Sequence, residues 1–314
     1  MGYNISLCDN GLFRGIFGQI GSEGILAELL NSVLRNAGDK PIETLKIRNP
    51  FQLPELALEK EPVLDIKSQD SSRRWFDVEI QLANHEHFRE RILYYWARLY
   101  GHRLRRGDNY RRLTPAVGVV FTKFPILPDE PQRLCSSVYL AFRHNPSREY
   151  SDHLRLHFVY VPNNLDKIEE LEIPADLKDW LLALNYPRLD QSEQLVAIER
   201  RNPVIKDVLE RAREFMSQPS VREYMEAKYK YEHDQASILD SARRAARAKG
   251  RAEGRAEGLL GGQVFSIAYI LQSRFNISLE EAQSLLVSKT EEELRSLLLD
   301  AATASSLDEI LKKL

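Results

Sequence analysis

Cysteine is nearly absent: the 314 residues carry two, Cys8 and Cys135, far apart in sequence. They form neither a zinc-ligand spacing nor a disulfide framework, so a reducing cytoplasm is the expected compartment. Long hydrophobic runs are missing as well. Val117–Phe121 is broken by a glycine and Val264–Leu271 by Ser266, and neither approaches the roughly 20 apolar residues that span a bilayer. No membrane segment is expected. The chain does not start with the basic-then-apolar pattern of a secretory signal. Met1–Ser6 fits the loose N-myristoylation pattern, which is short enough to be matched often by chance.

What is present is an ordinary soluble composition, 43% hydrophobic and 29% charged, on a chain long enough for two units. The net charge of −2 conceals a segregation. The stretch Arg89–Arg112 also holds Arg91, Arg98, Arg103, Arg105, Arg106 and Arg111, against Glu90 and Asp108. By contrast, Asp166–Asp179 carries Glu169, Glu170, Glu172 and Asp176 against Lys167 and Lys178. A local basic field binds a polyanion whatever the net charge. A solvated helix face has the same composition.

Periodicity divides the chain into two architectures. Ser22 is the expected N-cap of a helix whose apolar stripe is Ile25, Leu26, Leu29, Leu30, Val33 and Leu34, ending before Gly38. Val63–Lys67 and Trp75–Leu82 are strand-like, separated by the polar stretch Ser68–Arg74. Glu86–Arg103 has the spacing of an aromatic-rich helix. Pro115–Phe121, Ser137–Phe142 and Leu154–Val161 are further expected strands, and the remainder is helical. Near the end, Gly250, Gly254 and Gly258 punctuate a four-residue Arg-Ala-Glu-Gly repeat, expected as a helical seam or spacer, with a disordered linker as the alternative. Ser278 and Thr290 are expected caps within a final helical unit.

Strand alternation locates candidate chemistry. In Trp75–Leu82, Phe76, Val78, Ile80 and Leu82 share one face, and Asp77, Glu79 and Gln81 the other. In Val63–Lys67 the same rule sets Asp65 and Lys67 together, opposite Leu64 and Ile66. If the strands pair, carboxylates, an amide and an ammonium line one patch. Carboxylates crowded this way repel unless a cation sits between them. Oxygen ligands suit Mg²⁺ or Mn²⁺, and the absence of histidine and cysteine from both segments argues against zinc. The same pattern describes a half-buried hairpin with a charged solvent face, in which Lys67 simply pairs with Glu79. Alternation alone leaves both readings open.

The order of motifs narrows the choice. It runs from Phe13–Gly18 and Leu29–Leu34 to Leu64-Asp65-Ile66-Lys67 and Val78-Glu79-Ile80-Gln81. Phe88–Tyr100, Gly107, Tyr110 and Leu113-Thr114-Pro115 follow. Together these resemble the recombination-promoting nuclease (Rpn) family, also described as transposases, of the PD-(D/E)xK nuclease superfamily. The likeness covers roughly residues 10–165. The polar helix and glycine-spaced repeat are similar to family tails, and the last fifty residues to a small helical domain often appended to them.

The resemblance implies a Mg²⁺- or Mn²⁺-dependent DNA endonuclease, hydrolysing phosphodiester bonds in recombination or mobile-element chemistry. It implies that Asp65 and Glu79 hold the metal, with the carbonyl of Ile80 as a third oxygen and Glu28 as a further helical carboxylate. An exposed helix face would carry an acid such as Glu28 in any case. Gln81 stands where the superfamily motif usually has lysine, a variant typical of the family. Lys67 either takes that role, orienting the water or neutralising developing charge, or is a salt-bridging surface lysine. Arg91, Tyr94 and Tyr95 match the family's R-x-x-Y-Y pattern. Arg91, Tyr94, Arg98, Arg105 and Arg106 are the expected DNA contacts, whereas Tyr95 shares a stripe with Trp96 and Leu99 and is expected in the core.

The expected fold is therefore α/β: a restriction-endonuclease-like PD-(D/E)xK core with a mixed central sheet flanked by helices, then an all-α C-terminal region. The expected division is a nuclease-like domain over 1–190, a helical extension over 191–248, the glycine-spaced segment 249–262 and a small helical domain over 263–314. Two alternatives stay open. One is a catalytically weak DNA-binding or transposition accessory protein, in which the missing lysine leaves little chemistry. The other is a self-associating scaffold that forms homo-oligomers through the C-terminal helical region.

Overall fold

Strand and helix segments of the first half assemble into a six-stranded sheet in the computed structural model, which describes residues 6–49, 66–164, 168–186 and 192–313. The chain divides into two compact units, Met1–Tyr229 and Lys230–Leu314. The sheet belongs to the first. Its strands are β1 (Leu45–Ile47), β2 (Ile66–Asp70), β3 (Trp75–Gln81), β4 (Ala116–Thr122), β5 (Cys135–Phe142) and β6 (Asn145–Tyr160), in the order β1-β2-β3-β4-β6-β5. β4 runs parallel to β3 and β6 on either side, and the other pairs are antiparallel. This is the expected mixed sheet with flanking helices.

All seven residues of β4 are buried, as in a parallel strand covered on both faces. One face carries the larger core, where Phe76, Val78 and Ile80 of β3 meet Val117, Val119 and Phe121 of β4. Over it lie α1 (Asn10–Phe17), α2 (Glu23–Ala37), α4 (Ala175–Leu184), α5 (Glu193–Arg201) and α6 (Pro203–Ser217). The helices expected as an extension beyond residue 190 are thus part of this core, through Leu195, Ile198, Ile205, Leu209 and Phe215. On the opposite face α3 (Phe88–Gly101) sets Phe88 and Ile92 against Val120, Leu154, Leu156 and Phe158. Its Trp96 Nε1 donates to the Ala116 carbonyl at 2.8 Å.

Several local expectations need correction. Ser22 precedes α2, but its hydroxyl donates to the Ile16 carbonyl at 2.7 Å and does not cap the helix. β2 runs on to Asp70, into the expected turn, and the chain reverses through Arg73 at φ 66°. The start of the expected strand at Val63, including Asp65, lies outside the described residues. β6 begins nine residues before the expected Leu154, because it forms a long hairpin with β5 whose register shifts between Tyr139 and Phe142. There Tyr139, Leu140, Phe142 and Tyr150 are exposed, so no apolar alternation marks the strand.

The second unit is helical. α7 (Pro219–Phe275) passes without a break through the glycine repeat, followed by α8 (Leu279–Ser284), α9 (Glu291–Thr303) and α10 (Leu307–Leu311). Ser278 with Glu281 and Thr290 with Glu293 form reciprocal capping boxes. Ile267, Leu271, Leu286, Leu294 and Leu297 make its core. Among the described residues nothing comes within 4 Å of a Cβ built on Gly250, Gly254 or Gly258. No described helix is long and apolar enough to cross a membrane.

Candidate active site

Because β3 alternates, the side chains not needed in the large core face α3 instead. Asp77, Glu79 and Gln81 are only 6%, 5% and 6% exposed, yet they line one cavity of about 490 Å³. Beside them β2 contributes Lys67, which stands directly opposite Asp77 in the antiparallel register. Trp75 closes the near end of the strand, and α3 with its following turn supplies Arg91, Tyr95, Arg98, His102 and Arg103. Acid lies on the strand and base on the helix. Gly118 of β4 sits level with Asp77, where a Cβ would fall 2.7 Å from Leu156. Its missing side chain makes room for the Leu156 side chain of β6.

Hydrogen bonds fix the far end of the acidic row. Arg91 Nη2 donates to the amide oxygen of Gln81, and Gln81 Nε2 makes a long 3.4 Å contact to Glu79 Oε2. Arg103 is anchored by its Nε to the Leu99 carbonyl at 2.8 Å and by Nη1 to Thr114 Oγ1 at 3.0 Å. Its guanidinium lies 5.4 Å from the Trp75 ring centroid. Burial lowers Arg103 to about 10, which still leaves it cationic at neutral pH.

The structure brings together Glu79, Gln81, Lys67, Arg91 and Arg98 of the residues expected from sequence. Asp65 lies outside the described residues. Ile80 turns its side chain into the large core, so only its carbonyl is a candidate ligand. Glu28 is not part of the lining; it sits on α2, on the large-core side of the sheet, half exposed and 3.9 Å from Arg35. Tyr94 is 57% exposed outside the cavity, with Arg98 above its ring. Arg105 and Arg106 are exposed in the turn after α3 and also lie outside it. There the Arg105 backbone N–H and the Arg112 side chain hold the Asp108 carboxyl below its usual range.

Tyr95 reverses its expected place. It is 37% exposed and lines the cavity, while Phe88, Ile92 and Trp96 do the packing. Asp77, Trp75, His102 and Arg103 were not among the expected site residues. Strand alternation already placed Asp77 beside Glu79. Only the tertiary path of the turn after α3 reveals His102 and Arg103.

The donor set suits a hard divalent cation. Two buried carboxylates and an amide oxygen share one strand face, and no cysteine joins them in the lining. Such ions keep several waters and need only one or two carboxylates. Among the described residues no three His, Cys, Asp or Glu side chains form a complete cage.

A family model described as PD-(D/E)XK nuclease family transposase matches residues 9–242 of the chain. No curated protein and no solved structure matches it.

Proposed function

Because the chain belongs to the PD-(D/E)XK nuclease family transposases, we propose that it is a divalent-metal-dependent DNA endonuclease working on the polar face of β3. The observation that carries this reading is the cavity itself, where buried Asp77 and Glu79 face Arg91, Arg98 and Arg103. A phosphodiester needs both signs of charge: carboxylates toward a cation, and cations toward its own oxygens.

Glu79 and Asp65 would hold the metal, with the Ile80 carbonyl and Asp77 as further oxygens. When bound, Mg²⁺ or Mn²⁺ polarises the scissile phosphate and makes a coordinated water more acidic. The protein's own part is positional. Arg98 and Arg103 draw the DNA backbone into the cavity and set its register. Tyr95 offers an exposed ring and hydroxyl beside them. Lys67, opposite Asp77, keeps the near end of the acidic row charge-balanced. The candidate contacts are to the DNA backbone, so little sequence preference is expected.

Plasmid nicking with Mg²⁺, with and without EDTA, tests this on wild type, Asp65→Asn and Glu79→Gln. Each substitution is expected to slow cleavage by roughly 100-fold or more, and EDTA to abolish it. Undiminished nicking by the double variant would remove this site from consideration. A second reading rests on Gln81 in the motif's lysine position: a weakly catalytic DNA-binding protein. It predicts binding that weakens steeply with salt and no nicking with any divalent ion.

A further inference from the structure

We infer that Arg91, held by Gln81, is the cation of this site in place of the lysine that the PD-(D/E)XK motif carries two residues after its second acid. The inference rests on the nuclease reading above and identifies which side chain meets the scissile phosphate.

Three observations support it. First, position 81 is not left without charge. The Arg91 guanidinium reaches across from α3 and donates to the Gln81 amide oxygen, while the Gln81 amide nitrogen points back to Glu79. Glutamine is suited to this because its amide accepts at one end and donates at the other. A lysine at 81 would repel Arg91; a glutamine binds it.

Second, Lys67 is badly placed for the same task. Its register partner is Asp77, four residues before Gln81. Four strand residues span about 13 Å, so Lys67 starts well away from position 81, which Arg91 already reaches. Lys67 therefore serves the near end of the row and Arg91 the far end.

Third, Arg91 is under-satisfied. Its Nε is buried without a hydrogen-bond partner among the described residues. Leaving such a donor unmet costs free energy, which a turn of the guanidinium toward a phosphate oxygen in the cavity would recover. Packing against the Phe88 ring, 5.9 Å from its centroid, limits where the guanidinium can go. In this arrangement Gln81 is a positioning residue and Arg91 the group that touches the substrate.

The test compares wild type, Arg91→Gln, Gln81→Lys and the Arg91→Gln/Gln81→Lys double variant, with Arg91→Lys as a charge-conserving control and thermal melts to confirm folding. Two readouts are taken on the full chain. One is single-turnover cleavage of a labelled duplex in Mg²⁺. The other is the salt dependence of binding the same duplex in Ca²⁺. Arg91→Gln is expected to slow cleavage by roughly 100-fold and to lower the salt slope by about one. The double variant, with lysine back in the motif position, should regain most of both. A merely structural Arg91 would not be rescued by a lysine at 81. Wild-type rates and slope in Arg91→Gln, or a double variant no better than the single one on either readout, would overturn the inference. If wild type binds but never cleaves, the nuclease reading falls while the salt slopes still decide whether Arg91 meets a phosphate.

Discussion

The indole of Trp96 donates a 2.8 Å hydrogen bond to the main-chain carbonyl of Ala116. This single bond ties the helix that carries Arg91 and Arg98 to the strand beside the one that carries Asp77 and Glu79. It acts beside the Arg91–Gln81 hydrogen bond, which joins the basic helix to the acidic strand itself. Trp96→Phe keeps most of the packing and removes the donor. The expected cost is about 1 kcal/mol of stability, read by urea denaturation. Cleavage should fall by several-fold, because the guanidinium groups lose their register with the strand. Unchanged stability and cleavage together would show that α3 is positioned without this bond, by its apolar contacts and the Arg91–Gln81 pair.

Gly118 makes room for the Leu156 side chain, and that room is limited. A methyl group there meets Leu156 Cδ2 at 2.7 Å, the flexible end of a buried side chain. Gly118→Ala is therefore expected to destabilise by about 1–2 kcal/mol. Adding Leu156→Ala should make the two effects markedly less than additive, since the second change removes the obstacle. Strict additivity in a double-mutant cycle would mean that the clash is relieved elsewhere.

Asp39 supplies a pH prediction away from the cavity. Burial pushes its carboxyl up, but the hydrogen bond and charge of His157 together with Arg155 outweigh this and hold it below its ordinary value. Its oxygens lie 3.0 Å from His157 Nε2 and 3.4 Å from Arg155 Nε. A carboxyl lowered in the folded state contributes stability that is complete above its unfolded value near 4, and that is lost as pH falls through the folded value. Asp39→Asn should cost about 1–2 kcal/mol at pH 7. The gap between variant and wild type should close below about pH 4. A gap that stays constant from pH 7 to pH 3 would rule out this linkage.

The row Asp77, Glu79 and Gln81 was legible from sequence because a strand has a period of two and each neighbour in the row is apolar. An α/β first half followed from the order of segments, and its mixed sheet with flanking helices from the family resemblance. Other features were not legible, for identifiable reasons. Tyr95 shares helical spacing with Trp96, but spacing cannot tell which edge of a broad stripe faces a cavity. Ser22 has the composition of a cap, yet its hydroxyl donates to the Ile16 carbonyl of the preceding helix instead of accepting from the first-turn N–H groups of α2. The start of β6 carries no apolar alternation, since its partner there is an exposed hairpin strand. Glu28 was suggested by analogy with a superfamily acid, and α2 carries it on the large-core side. The Arg91–Gln81 pair is a tertiary contact over ten residues that no strand or helix period encodes.

β3 divides its labour by parity. Phe76, Val78 and Ile80 anchor the large core, while Asp77, Glu79 and Gln81 belong to the cavity. Selection on the fold and selection on the reaction therefore act on different residues of the same seven-residue strand. Under the proposed reading, change at the odd positions removes the reaction while the even positions still anchor the core.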